Sequence, residues 1–295
     1  MIVASLSHVG NAPAQNPTTA PKLCYNGPMS AHPSYFGCRP CLAGQGVIEP
    51  AGDAVRLALP SATAATYSDA QIDDYTGLAR RRFPWRPPFR LSLRARFSPG
   101  PLVGTAGFGL WNNPFSPLGG VPALPRAVWF FYASPPSDMA LAAGVAGRGW
   151  KAAVIDATRP AALAWAPLAP LVLLANHVPA LYARVWPHVQ RALCIHERLL
   201  DTSMQDWHDY HIAWQAGQVT FSVDEQIVLR SQAPQAPMGF VAWIDNQYAI
   251  ATAWGRLGWG LLDVTRPQWL DIAAIAAPLA QNEEMRYAML HSGEF

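Results

Sequence analysis

The segment Phe89-Arg-Leu-Ser-Leu-Arg-Ala-Arg-Phe97 alternates without a break. Phe89, Leu91, Leu93, Ala95 and Phe97 fall on one face of an extended chain, and Arg90, Ser92, Arg94 and Arg96 on the other, because successive strand side chains point to opposite sides. That pattern specifies a half-buried antiparallel strand, with one face to a core and one to water. The rest of the chain allows little else. Its 28 prolines and 22 glycines are spread along all 295 residues, which interrupts long helices and favours many short elements. With 51% hydrophobic residues the chain can fill a large core, and global disorder is excluded. A net charge of +2 supplies no field for a polyanion, so no nucleic acid partner is expected.

Further short runs read as strands. Val47-Ile48-Glu49 and Ala54–Leu59 flank a Pro-Ala-Gly-Asp turn and form a hairpin. Ala106–Trp111, Ala127–Tyr132 and Trp150–Ile155 follow. Later come Tyr210–Trp214, Gln218–Val223, Gln226–Leu229, Gly239–Ile244 and Ala249–Trp254, with turn signals at Gln215-Ala-Gly217 and Asp224-Glu225. Many short strands with regular turns predict an all-β fold, a β-sandwich of the jelly-roll kind.

One stretch departs from this. Residues 160–183 carry no formal charge, and Pro160, Pro167, Pro170, Pro179 and Pro187 punctuate the region. Its length would permit a membrane span, but the prolines, Asn176 and His177 argue against one. Two short helices, about 161–176 and 178–200, are predicted as an apolar helical hairpin inserted between strands. Arg184, His188, Arg191, Glu197 and Arg198 would form the polar face of the second. The other face would pack on the sandwich, cover a groove, or make a peripheral membrane contact through 160–183.

Residues 1–45 are Pro-rich and without periodicity, and are expected to form an N-terminal arm. Residues 46–280 would be the jelly roll, interrupted by the insertion at 157–205, and 281–295 a C-terminal tail. The Met1 end shows no basic start and no long apolar run, so no secretory signal is expected. Cys38-Arg-Pro-Cys41, with Cys24 and His32 near, has the residue types of a zinc set. No second C-x-x-C follows, so reduced thiols in a cytoplasmic protein are the simpler expectation. No P-loop, no G-x-G-x-x-G opening a helix and no G-x-S-x-G is present, and no cofactor is expected. His208 and His211 are three apart on a strand and point to opposite faces, which does not make a metal pair.

Trp207-His-Asp-Tyr-His-Ile-Ala-Trp214, followed by Gln218-Val-Thr-Phe-Ser-Val-Asp-Glu-Gln-Ile-Val228, resembles a recurrent signature of the concanavalin A-like lectin/glucanase superfamily. In that signature the hairpin ends in Val-Asp-Gly; here Glu225 follows Asp224. Phe89–Phe97 and Gly107-Phe-Gly-Leu-Trp111 are similar to strands that lead to the cleft of family 16 glycoside hydrolases. The resemblance covers about 46–275, apart from the insertion. It implies two curved antiparallel sheets, the concave one carrying a ligand groove. In those hydrolases the next strand carries an array of the type Glu-x-Asp-x-x-Glu. Retaining hydrolysis needs two carboxyls about 5 Å apart. The corresponding strand here, Arg126-Ala-Val-Trp-Phe-Phe-Tyr-Ala-Ser134, contains no carboxylate, so the family's catalytic residues do not carry over.

Aromatic side chains in place of acids suit the CH face of a sugar ring or a lipophilic molecule. The expected ligand contacts are Tyr75, Trp111, Asn112, Asn113, Trp129, Tyr132, Trp243, Asn246 and Tyr248. Asp73, Asp74, Asp138 and Asp245 are the candidate acids or bases, with Asp245 and Asn246 at a strand end between two aromatics. Asp69, Asp73 and Asp74 could instead pair with Arg80, Arg81 and Arg82. The expected function is binding of a glycan or an amphiphilic or lipophilic small molecule in an aromatic groove, without ordinary glycosidase activity. The rival readings are a cyclase-, hydratase- or isomerase-type enzyme with a lone Asp, a glycoside hydrolase with a displaced acid pair, and a membrane-surface or structural module.

Overall fold

The computed structural model describes residues 23–24, 37–114 and 123–276. The first strands are β1 (Leu23–Cys24), β2 (Arg39–Ala43), β3 (Val47–Ala51), β4 (Ala54–Leu59), β5 (Asp69–Asp73) and β6 (Phe89–Phe97). β7 (Thr105–Trp111), β8 (Arg126–Ala133) and β9 (Gly149–Asp156) lead into helices α1 (Pro160–Trp165), α2 (Ala169–Ala175) and α3 (Pro179–Ala192). The chain returns through β10 (His196–Leu199), β11 (His208–Gln215), β12 (Gln218–Val223), β13 (Gln226–Gln232) and β14 (Gly239–Asp245). It ends in β15 (Gln247–Ala251), β16 (Leu257–Leu261) and β17 (Gln268–Ala276).

Two antiparallel sheets face each other in a jelly-roll sandwich. One has the order β1-β2-β5-β14-β7-β8-β9-β10, the other β13-β12-β11-β6-β17-β4-β3, and β15 and β16 form a separate hairpin. The alternation of β6 holds residue by residue: Phe89, Leu91, Leu93, Ala95 and Phe97 are buried. They meet Tyr210, Ile212 and Trp214 of β11 and Phe108 and Phe130 of the opposite sheet in one apolar core. Phe130 lies edge-on to Tyr210 and Phe221. Each such fully buried ring contributes on the order of 2–3 kcal/mol from burial. On the far side of β6, Arg96 and Arg56 of β4 clamp the buried Asp271 of β17. Their guanidinium groups lie over Trp269 and Trp207.

The resolved arrangement departs from the sequence reading at three places. β2, Arg39–Ala43, is a strand of the eight-stranded sheet inside the stretch expected to be an arm. Residues 1–22, 25–36 and 277–295, most of the expected arm and the whole tail, lie outside the described residues. Second, the helix expected to reach 200 stops at Ala192. Cys194 takes a positive φ of 52°, and His196–Leu199 then pairs antiparallel with β9 as strand β10. A residue in the left-handed region ends a helix because it turns the next amide away from the helical hydrogen-bond ladder. Third, Cys41 is disulfide-bonded, which corrects the expectation of a reduced thiol at that position and removes that thiolate from any zinc set; Cys194 is a reduced thiol, as expected. Among the described residues, no helix is long and apolar enough to cross a membrane.

Candidate functional site

The eight-stranded sheet has a second face, turned away from the inter-sheet core, and its register fixes what lies there. One row across the strands reads Ala43, Asp69, Asp245, Thr105 and Ala133. The next same-facing row reads Cys41, Gln71, Trp243, Gly107, Phe131 and Lys151. A third reads Arg39, Asp73, Val241, Gly109, Trp129, Ala153 and Glu197. Trp111 follows, opposite Gly239 and Ala127.

The rings of this face form a continuous cluster. Trp129 stacks on Phe131 with centroids 5.3 Å apart, and lies 5.8 Å from Trp111 and 5.3 Å from Trp243. Tyr75 stacks on Phe83 at 4.8 Å and meets Trp111 edge-on. Trp111 and Trp129 are half-buried, whereas Trp243, Phe131 and Tyr75 are buried. Glycines on β7 make room for these rings. A Cβ on Gly107 would stand 2.3 Å from the Phe130 carbonyl and 3.0 Å from the Trp243 ring, and one on Gly109 2.7 Å from the Trp129 Cβ.

Polar groups border the cluster. The Tyr75 hydroxyl accepts from Trp111 Nε1 at 2.7 Å and from Gln71 Nε2 at 3.4 Å. Trp243 Nε1 donates to Thr105 Oγ1 at 3.0 Å, and that hydroxyl donates to Asp245 Oδ1 at 2.8 Å. Asp245 Oδ1 also accepts from the backbone N–H of Thr105 and of Gln247. Burial, reinforced by the negative charge of Asp69 on the adjacent strand, outweighs these bonds and raises the Asp245 carboxyl to about 7. On the other flank Lys151, only 1% exposed, donates to Glu197 at 3.0 Å. Burial raises the Glu197 carboxyl and Lys151 opposes that rise.

Of the expected contacts, Tyr75, Trp111, Trp129 and Trp243 come together on this face. Tyr132 does not: it packs against the inter-sheet core and its hydroxyl donates to the Leu102 carbonyl. The alternation of β8 decides this, since 129 and 131 share one face and 130 and 132 the other. Asn112 and Asn113 are turn formers. Asn112 donates to Leu124 O and accepts from Arg126 N, and Asn113 sits at φ 41°. Asn246 is a loop clamp: Oδ1 accepts from Ser68 N, and Nδ2 donates to the carbonyls of Thr63, Thr66 and Leu262. Tyr248 lies on the β15–β16 hairpin against Gly260.

The candidate acids separate in the same way. Asp74 accepts from Trp85 Nε1 and from Phe240 N, which ties the β5 end to the core. Asp73 faces the site but caps its own turn, accepting from Tyr75 N, from Thr76 N and Oγ1, and from Gln71 Nε2. Asp138 pairs with Arg256 at 3.3 Å on the β15–β16 side. Arg80 donates to the carbonyls of Asn113 and Pro114. Among the four expected acids, Asp245 is the one for which the described residues show both a place beside the aromatic cluster and a raised proton affinity; Glu197, farther along the same face, is raised as well. Asp69, Gln71, Thr105 and the Lys151–Glu197 pair were not singled out as site residues. The alternation Asp69-Ala-Gln-Ile-Asp73 does carry the signal of a strand with one polar face.

Residues 190–256 match the family model for glycosyl hydrolases family 16. The chain thus resembles that family over β10 to β15, the span that includes the Trp207–Trp214 signature and Asp245. Two solved family 16 structures show the same broad likeness. A mixed-linkage glucan enzyme of Bacteroides ovatus shares 12% identity over 79% of this chain and 85% of its own, with a TM-score of 0.41. A β-glucanase of Bacillus licheniformis shares 12% over 78% and 81%, also at 0.41. An alginate lyase shares 9% over 76% and 74%, at 0.39. No curated protein sequence matches. The family 16 match and the two-sheet architecture together describe a glycanase-like fold with an aromatic cluster on the second face of one sheet.

Proposed function

We propose that this protein binds a glycan on the second face of the eight-stranded sheet, with a sugar ring seated over Trp111 and Trp129. The observation that carries this reading is the pair of half-buried indoles, 5.8 Å apart, on a face bordered by polar groups. Indole planes attract the CH face of a pyranose, while Tyr75, Gln71 and Thr105 supply directional donors and acceptors. The family 16 match supports a carbohydrate ligand. In this reading β8 presents Trp129 and Phe131 where the resemblance sets an acid array, so the face recognises sugar without ordinary retaining hydrolysis. The Cys41 disulfide moves the proposed compartment from the cytoplasm to an oxidising one.

A glycan array followed by titration calorimetry on the retained polysaccharide tests this. Trp129→Ala and Trp111→Ala each weaken binding by about 1–3 kcal/mol, or roughly 5- to 150-fold. Failure of the native chain to retain any glycan overturns the reading.

A second reading rests on Asp245. A carboxyl held near neutrality beside Asp69 has the proton affinity of a general acid or base. Asp245→Asn then abolishes bond cleavage or isomerisation of any bound glycan while leaving its affinity within about twofold. Undiminished turnover in that variant disposes of the catalytic role.

A further inference from the structure

The helical insertion shows a surface unlike the rest of the molecule. Leu171 and Leu174 of α2 are 65% and 70% exposed, and Leu163, Leu168, Val178 and Leu181 are each more than two-fifths exposed. The inner side is well packed: Val172, Trp186 and Val189 form a separate core with Ala253, and Asn176 Nδ2 donates to Ala253 O. The leucines are therefore outward by construction, on a scaffold that fixes their direction. Soluble proteins rarely leave so many large apolar side chains exposed on one short segment.

The charge pattern says what covers them. Between Asp156 and Glu197 there is no acidic residue, and the charged groups are Arg159, Arg184 and Arg191. On α3, Leu181, Arg184, His188 and Arg191 share one stripe at helical spacing, and all four are exposed. The stripe runs from apolar near α2 to cationic at its far end. That gradient fits an interface that is hydrocarbon on one side and anionic headgroup on the other. α3 has 14 residues, about 21 Å at the helical rise, too short to span a hydrocarbon core of about 30 Å.

We propose that the insertion docks this protein on a bilayer surface containing anionic phospholipid, with α2 and the start of α3 entering the acyl boundary and Arg184 and Arg191 at headgroup level. The docking is independent of glycan binding on the sheet.

The test is co-sedimentation of the full chain with vesicles of phosphatidylglycerol mixed with phosphatidylcholine, and with phosphatidylcholine alone. The native chain pellets with the mixed vesicles and releases as salt rises. The double variant Leu171→Ser/Leu174→Ser lowers the bound-to-free ratio roughly tenfold or more. Arg184→Gln/Arg191→Gln lowers it about tenfold on mixed vesicles, with little change on phosphatidylcholine. All four positions are on the surface, and unfolding curves check that the variants fold. No pelleting of the native chain overturns the proposal. Equal pelleting of the leucine variant does so too, as does a dimer in sedimentation velocity that the leucine variant dissolves and that stays off vesicles.

Discussion

Asp245 stands between two opposed demands. Thr105 and Gln247 donate to Oδ1 and favour the carboxylate, while burial and the facing Asp69 favour the proton, and the second pair wins. The sign for stability follows. A carboxyl near 3.9 in the unfolded chain and about 7 in the folded one stabilises the fold fully below pH 4. That contribution fades as pH rises through 7. Its size is on the order of 4 kcal/mol, from about three pKa units at about 1.4 kcal/mol each. Asp245→Asn keeps an oxygen for the three donors and removes the titration. Urea unfolding from pH 4 to pH 8 is expected to show a shallower fall for the variant, which is the more stable protein at pH 8. Equal slopes would show that Asp245 does not titrate in this range. Its neighbour illustrates what one-dimensional reading misses. Asp245 and Asn246 are adjacent and equally suggestive in sequence, yet Asn246 makes four hydrogen bonds to loop backbone. Strand parity sends 245 to the aromatic face, and the strand ends before 246.

Individual strands follow their sequence pattern closely where one face is dry and the other wet. β6, β11 and the β3–β4 hairpin lie where alternation and turn residues put them. β8 and β14 were harder to orient, because aromatic and aliphatic residues occupy both faces and hydrophobicity alone cannot say which face is core. β7 settles it physically: Gly107 and Gly109 leave space on one face only, and the neighbouring rings lean over them. Gly109 has φ 151°, a conformation that side chains disfavour, and its Cβ would also meet the Val128 carbonyl at 2.5 Å. Gly109→Ala is expected to cost about 2–3 kcal/mol and to alter tryptophan fluorescence by displacing Trp129. An unchanged unfolding midpoint would refute this. The β12–β13 turn offers the opposite case. Asp224 and Glu225 both have positive φ, 48° and 66°, where the resembling families have glycine second. Glu225→Gly is expected to stabilise by about 0.5–1 kcal/mol, read as a higher unfolding midpoint.

At the scale of the whole molecule, the two-layer architecture was legible because many short alternating runs admit few other folds. The helical insertion was legible as a break in composition, though not its end, since a single left-handed residue at Cys194 converts the expected last helical turns into β10. The state of Cys41 was not legible, because spacing along the chain does not report which thiols the fold brings together, whereas Cys194 is a reduced thiol as expected. Alkylation of the denatured chain without reductant is expected to leave Cys41 unlabelled and to label it after reduction; labelling in both conditions would contradict the disulfide.

β9 and β10 are antiparallel neighbours, with Val154 opposite His196. Everything between them, three helices included, occupies the position of a hairpin loop. Such a loop can grow, shrink or be exchanged with no strand changing its place or its register. The outer surface of the insertion can therefore diverge on its own schedule, while the eight-stranded sheet inherits its geometry undisturbed.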